Sequence, residues 1–352
     1  MMWPNTLLSD LLGIERPIIQ APMAGSTTVE LVTAVSNAGG IGSMGYAKTA
    51  LDRIKQDAKQ IRELTDKPFN LNFFAHHTPS NKPDVIASTR ERIKPFYSQA
   101  GLSDIPQDVS KPLLTFTGEK LELLLEIKPA LVSFHFGLPP AEGIKELKQA
   151  GCRILCSATT VAEAVALEQS GVDIIVAQGW EAGGHRGSFA VNHEDHGVGT
   201  MALVPQIVDS VNIPVVAAGG IADGRGIAAA FMLGACGVQI GTAFLSCPEA
   251  CISEDHRKAI QNATDDDTRL TKAFSGRPAR ARKNDYIESM AAHRLPLPDF
   301  PTMYALSNPL RESSNDSLDF RFLLYGQAAA LNREMPAADL MKTLVEEAQK
   351  LI

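Results

Sequence analysis

The sequence predicts an α/β protein, a closed (β/α)8 barrel with a smaller α-rich capping subdomain. Three observations lead there. Eight short apolar runs recur along the first 245 residues, segments of helical period separate most of them, and the residues from 246 to about 320 break the pattern. Near-continuous apolar strands alternating with helices mean a parallel sheet covered on both faces, and eight such units favour closure over an open sheet.

In order, the strand candidates are "PIIQAP" from Pro17, "GIGSMGY" from Gly40, "FNLNFF" from Phe69, "LVSFHF" from Leu131, "RILCSA" from Arg153, "DIIVAQG" from Asp173, "PVVAAGGI" from Pro214 and "GVQIGTAF" from Gly237. Helices between them carry their own start and stop signals: "TTVELVTAVSNAGG" with a cap at Thr27 or Thr28 and a glycine stop, "PPAEGIKELKQAG", "TTVAEAVALEQSG", and "DGRGIAAAFMLG" after Asp223. Residues 75 to 115 are polar and proline-rich, too long for a plain strand-to-helix loop, and read as a partly helical insertion at the active-site end. The expected division is therefore a barrel over 1–245 with that insertion, a capping and substrate subdomain over 246–320, and a helical segment over 321–352 that packs back on the barrel.

Composition narrows the function classes. The chain has 352 residues, 45% of them hydrophobic, and a net charge of −7, which lacks the basic footprint of a nucleic-acid or acidic-membrane binder. A small-molecule partner is expected. The opening "MMWPNTLLSDLLGIERP" has no basic n-region and Asp10 interrupts its apolar stretch, so it does not read as a secretory leader, and a cytoplasmic location is expected. The uncharged stretch "GIAAAFMLGACGVQIGTAFL" has the length of a membrane span, but Gly234 and Gly237 divide it, and Gln239 and Thr242 would be costly in lipid. It reads as a buried helix followed by a buried strand. The five cysteines show no CxxC spacing, so neither a disulfide framework nor a zinc site is implied.

In a (β/α)8 barrel the loops after the strands build the site, so the strand ends are the candidates. They are Pro22 and Met23, Asn72, Gln178, Gly183 and Gly184, Gly219 and Gly220, and Gly241 with Thr242. Loops after the seventh and eighth strands of this fold commonly hold a phosphate through backbone N–H groups, and "AAGGIADGRG" and "QIGTAF" suit that role, though glycines also end strands simply to turn. "GIGSMG", Gly40 to Gly45, imitates a dinucleotide fingerprint in the wrong context: it lies on the second unit, and Asp66 precedes a strand instead of ending one. "HEDH", His193 to His196, reads as a solvated loop, not a metal site, since no third ligand accompanies it. His185, behind "EAGG" after the sixth strand, is the candidate base; the same residue also suits a structural histidine bonded to a loop carbonyl. Its loop reads as flexible enough to reach over the barrel mouth. Arg186 and the "RPARAR" stretch read either as holders of an anion or as solvated surface charge.

The segments "PIIQAPMAGSTT", "FNLNFF", "VAQGWEAGGHRGSF", "VPQIVDSVNIPVVAAGGIADGRG", "GVQIGTAFL" and "TKAFSGRPAR" together resemble the nitronate monooxygenase family, formerly called 2-nitropropane dioxygenases, with a class I-like pattern. The resemblance runs from about Pro17 to Gln327. It implies a TIM barrel holding FMN, with Asn72, Gln178, Gly183, Gly220 and the segment Gln239, Ile240, Gly241, Thr242 as cofactor-binding residues, Pro22 and Met23 against the ring, and His185 as catalytic base. Gly219 joins the set as part of the phosphate loop. The implied reaction takes an alkyl nitronate of the propionate 3-nitronate type and O2 to a carbonyl compound and nitrite, without NAD(P)H. A monomer or homodimer is expected. A neutral nitroalkane must lose a carbon-bound proton first, for which a histidine serves; a preformed nitronate needs no base, and there His185 would orient the anion. The alternatives are a flavin-dependent enoyl-ACP reductase using NAD(P)H, suggested by "GGH" and "PARARKN", and a flavin-binding protein without turnover.

Overall fold

The computed structural model describes residues 3–80, 82–109, 115–190, 197–293, 295–313 and 320–352. Its first half alternates helices and strands: α1 (Leu7–Leu12), β1 (Ile18–Gln20), α2 (Val29–Asn37), β2 (Gly42–Tyr46), α3 (Leu51–Leu64), β3 (Phe69–Phe74), α4 (Pro83–Gln99), α5 (Gly118–Ile127), β4 (Leu131–His135), α6 (Ala141–Gln149), β5 (Arg153–Ala158), α7 (Val161–Gln169) and β6 (Ile174–Gln178). There follow β7 (Gly184–His185), α8 (Thr200–Val208), β8 (Val215–Ala218), α9 (Gly224–Met232), β9 (Gly237–Ile240), α10 (Thr242–Leu245), α11 (Glu254–Gln261), β10 (Thr268–Thr271), β11 (Ala279–Arg282), α12 (Asp285–Ala292), α13 (Thr302–Glu312) and α14 (Ala337–Ala348).

Eight parallel strands pair in the order β1-β9-β8-β6-β5-β4-β3-β2. A parallel bridge between Ile19 and Ile41 joins the two ends of that order, so the sheet closes. All eight apolar runs are its strands. The helix starts follow the side-chain signals: Thr28 accepts from the Leu31 N–H at 3.0 Å, Thr160 from Glu163 at 3.2 Å, and Asp223 from Arg225 and Gly226 at 2.9 and 3.2 Å. The uncharged stretch 226–245 divides into α9, β9 and α10, and no described helix is long and apolar enough to cross a membrane.

"GIGSMG" is barrel strand, and its glycines serve packing. A Cβ on Gly42 would lie 2.1 Å from the Val32 carbonyl oxygen, so glycine lets α2 lie directly on β2. No phosphate loop forms there.

Inside the barrel, side chains alternate, and every second residue of a strand points inward. At the N-terminal end these are Ile19, Ile41, Leu131, Leu155, Ile174 and Val216, closed from below by Leu8 and Leu12 of α1. Two residues further along the same inward columns stand Ser43, Ser133, Ser157 and Ala218; β4 then reaches His135. The barrel is thus apolar at its base and small or polar towards its C-terminal mouth. That change of chemistry places the site.

A separate apolar cluster holds the cap: Phe274, Tyr286, Ile287, Met290, Met303, Leu306 and Leu310 pack with Ile93 and Tyr97 of α4. The insertion therefore shares its core with residues after the barrel, and the Tyr97 hydroxyl donates to the Leu306 carbonyl at 2.6 Å. The chain over 321–352 is helical only from Ala337, apart from a single 3-10 turn at Ala329–Leu331. Before it, Gly326 passes so close to the Glu181 carbonyl and the Gly183 nitrogen that a Cβ would sit 2.8 and 2.9 Å from them, which holds this stretch out of helical register. α14 packs against α2 and α9, burying Leu340, Met341 and Leu344 in the barrel's outer core.

Candidate active site

A cavity of about 390 Å³ opens at the C-terminal mouth, within the range expected for a cofactor pocket. Pro22, Met23, Asn72, Gln178, Gly183, His185, Gly219, Gly220, Gln239, Gly241 and Thr242 all line it. Ile240 does not. Its side chain points outward from β9 and is 1% exposed, because its inward neighbours in the alternation are Gln239 and Gly241.

Gly219 and Gly220 adopt φ of +106° and +72°, which a side-chain-bearing residue rarely takes, so glycine is required to turn the chain after β8. The Thr242 hydroxyl accepts from the Gly326 N–H at 2.9 Å and keeps its own hydrogen to donate. Among the described residues, three lining the cavity carry a buried polar atom without a hydrogen-bond partner, Gln239 Oε1, His256 Nε2 and Arg311 Nε. A polar cofactor would satisfy them.

The loop carrying His185 is not flexible. Gln178 clamps it, donating from Nε2 to the His185 carbonyl at 3.0 Å and accepting the Gly187 N–H at 2.7 Å. Buried Glu163 accepts from the Phe189 and Ala190 N–H groups at 2.7 and 3.1 Å and from the Thr159 N–H and hydroxyl, each at 2.7 Å. Glu181 accepts from the Thr200 N–H at 2.9 Å and thereby ties the loop to the start of α8. Finally β7 pairs antiparallel with β11, His185 opposite Ala279. The glycines of "EAGG" provide close approach, since a Cβ on Gly183 would meet Gly326 at 2.5 Å.

Arg186 is neither a solvated charge nor a cavity residue. It is 2% exposed and donates to the Gln178 and Gly179 carbonyls at 3.0 and 2.6 Å, closing the end of β6. In "RPARAR", half-buried Arg277 stacks over Phe136 at 4.0 Å and buried Arg280 donates to the Trp180 carbonyl. "HEDH" lies outside the described residues.

Sequence reasoning missed a second histidine. His135, at the top of β4, places Nε2 3.0 Å from the His185 carbonyl and Nδ1 3.1 Å from the Ser157 hydroxyl. A carbonyl only accepts, so Nε2 carries the hydrogen and Ser157 donates to Nδ1. The signal was available: "LVSFHF" and "RILCSA" place polar residues on the inward alternation of apolar strands. Also missed were Phe300, Tyr304 and Arg311 from the cap, and Phe322. The Arg311 guanidinium lies 3.8 Å and the Lys48 ammonium 4.0 Å from the Tyr304 ring centroid, so two cations attend one cavity-lining tyrosine.

Burial sets the charge state of both histidines. Phe74, Phe136, Phe300 and Phe322 surround His185, with ring centroids 5.7 to 6.4 Å away. Loss of water, then the neighbouring His135, Arg277 and Arg311, push its pKa down to about 3. Burial likewise lowers His135 to about 4. Both rings are neutral near pH 7, with protonation of each pushed well below the ordinary histidine value. A neutral imidazole this hard to protonate is a weak base.

Comparison with known proteins adds the family context. A nitronate monooxygenase family model matches residues 5–347. A nitronate monooxygenase of Pseudomonas aeruginosa is 44% identical over 96% of this chain and 97% of its own length, and one of Paraburkholderia phytofirmans is 43% identical over 98% and 95%. Among solved structures, a nitroalkane oxidase from Streptomyces ansochromogenes superposes with a TM-score of 0.90 at 36% identity, covering 98% of both chains. FabK from Thermotoga maritima reaches 0.75 at 29% identity over 99% and 97%.

Proposed function

The chain belongs to the nitronate monooxygenase family, and from that premise we propose that its cavity holds FMN and turns over short alkyl nitronates with O2, yielding a carbonyl compound and nitrite without NAD(P)H. It is a flavin-dependent oxidoreductase acting on nitronates. The observation that carries the finer reading is one cavity lined by the glycine ends of β8 and β9 and by a neutral, immobilised His185.

The residues present fit the cofactor. Gly219, Gly220, Gly241 and Thr242 would hold its phosphate, Pro22, Met23, Asn72, Gln178, Gly183 and Gln239 its ring system. Bound flavin supplies electron acceptance and reaction with oxygen; the protein supplies position and electrostatics. His185 is too weak a base to favour removal of a carbon-bound proton, so the cavity suits a substrate that arrives already as the anion. Arg311, which lines the cavity beside Tyr304, gives that anion, or a carboxylate on its tail, a positive group to meet. The barrel over 1–245 would serve as the cofactor domain and residues 246–320, joined by the insertion, as the substrate cap. A cytoplasmic monomer or homodimer completes the proposal.

The test is direct. Purified protein should be yellow, release free FMN on acid precipitation, and form nitrite from propionate 3-nitronate in air. FAD, covalently held flavin, or colourless protein unchanged by added FMN would overturn the cofactor assignment.

A further inference from the structure

Among the described residues, the His185 side chain hydrogen-bonds the protein through one ring nitrogen. Nε2 lies 2.9 Å from the hydroxyl of Ser275, a residue 1% exposed on the cap side of the cavity. That hydroxyl has two further contacts: it accepts the Arg277 N–H at 3.2 Å and lies 2.9 Å from the Arg277 carbonyl. Among the described residues the protein provides no hydrogen-bond partner for Nδ1, which leaves that nitrogen for whatever enters the cavity.

A serine hydroxyl has one hydrogen and two lone pairs. One lone pair is taken by Arg277 N–H in every case. Two complete arrangements remain. In the first, the hydroxyl donates to the Arg277 carbonyl and accepts from Nε2–H, so Nδ1 is a bare acceptor. In the second, the hydroxyl donates to Nε2, and Nδ1 carries the hydrogen. The first gives the Arg277 carbonyl, the Arg277 N–H and Nε2 each a partner in Ser275; the second gives up the carbonyl contact and presents a donor to the cavity. A nitronate is an anion with acceptor oxygens, so only the second arrangement receives it without protonating the ring.

We propose that Ser275 is a positioning residue that sets the tautomer of His185, swinging its hydroxyl hydrogen from the Arg277 carbonyl to Nε2 so that the neutral imidazole offers Nδ1–H to the bound nitronate. The inference rests on the cavity being a nitronate site. The proton count of the ring is unchanged: one hydrogen leaves Nε2 and one arrives at Nδ1 through solvent while the cavity is open. Arg277 and Arg311, both close enough to act on His185, oppose the alternative of a charged ring. A site walled by arginines and phenylalanines thus gains a donor without gaining a cation.

The experiment is long-range ¹H–¹⁵N NMR on flavin-loaded enzyme labelled with ¹⁵N-histidine, the His185 signals being identified by their loss in His185→Asn. Sodium nitrite, the product anion, is added until the flavin spectrum stops changing. The wild type should show Nε2 protonated before nitrite and Nδ1 protonated after it. Ser275→Ala should fail to make that exchange and lose on the order of tenfold in kcat/KM for a nitronate, the worth of one charge-assisted hydrogen bond, at unchanged flavin content. Ser275→Thr, which keeps the hydroxyl, should restore both. One tautomer in both states of the wild type, an imidazolium on nitrite binding, or a normal exchange in Ser275→Ala overturns the proposal. Turnover of propionate 3-nitronate by the same wild-type sample reports separately on the reading of the cavity: turnover without the exchange removes only the role of Ser275.

Discussion

Replacing Glu163 isolates the anchoring of the His185 loop. The carboxylate is fully buried and accepts four hydrogen bonds, two from the Phe189 and Ala190 N–H groups of the loop and two from Thr159. It is also a counter-charge for buried Arg186 and half-buried Arg277. Glu163→Ala strands three backbone N–H groups and removes that charge, a loss of about 3–5 kcal/mol. With an unfolding entropy of about 2.1 cal/mol/K per residue over 352 residues, 4 kcal/mol corresponds to a fall in Tm of roughly 5 °C. Glu163→Gln should fall between, because an amide keeps one accepting oxygen and Thr159's hydroxyl can reverse to accept from its NH2. Calorimetry gives the Tm, and hydrogen exchange at the Phe189 and Ala190 amides shows where the loss lies. If Glu163→Ala melts within 1 °C of wild type and those amides exchange as slowly as before, the loop is held by something else and the anchoring argument fails.

The pH dependence follows from the two histidines. An unfolded imidazole protonates near 6.5 and the folded ones near 3 and 4, so stability is full above pH 6.5 and falls as pH drops towards 4 and 3, by at most about 2 kcal/mol each at pH 5. His135→Gln should therefore lose less Tm between pH 7.5 and 5 than wild type; equal losses would contradict the buried neutral state. For the same reason kcat/KM for a nitronate should show no histidine ionisation between pH 6 and 8, and a clear inflection near 6.5 would count against it. Arg311→Met should raise KM for propionate 3-nitronate by roughly tenfold or more relative to propyl-1-nitronate, a loss of about 1.4 kcal/mol or more; equal effects on both would deny it the carboxylate. Thr242→Val and Gly220→Val should weaken FMN retention, the first by removing a donor and the second by forcing a β-branched residue to φ +72°. Full flavin content in both would put the phosphate elsewhere.

Much of the fold was legible because strand burial and helix caps are local properties. Each of the eight barrel strands is a short apolar run, and Thr28, Thr160 and Asp223 cap the helices that follow β1, β5 and β8. Most strand-end residues proposed for the site do converge, since closing a parallel sheet brings all its C-terminal ends to one mouth. What escaped the sequence depends on contacts distant along the chain. His135 looked like part of an apolar run; its role appears only when its ring reaches the His185 carbonyl, 50 residues away. Arg186 carries a charge beside a catalytic candidate, but the same closure that builds the mouth turns it onto the Gln178 and Gly179 carbonyls at the end of β6. Ile240 was included with its neighbours although a strand exposes only alternate residues to one side. The cap's contribution, Phe300, Tyr304 and Arg311, has no periodic signature at all, and it is brought over the cavity by a core shared with the insertion.

The central claim is that this cavity passes electrons from a nitronate to its flavin and has no use for a nicotinamide. Anaerobic rapid mixing of the flavin-loaded protein with propionate 3-nitronate, and separately with NADPH, tests it most directly by following the flavin absorbance. The account predicts loss of the oxidised-flavin band with the nitronate and an unchanged band with NADPH. Bleaching by NADPH with none by the nitronate would contradict it and support the reductase reading; no change with either would leave a flavin-binding protein without turnover.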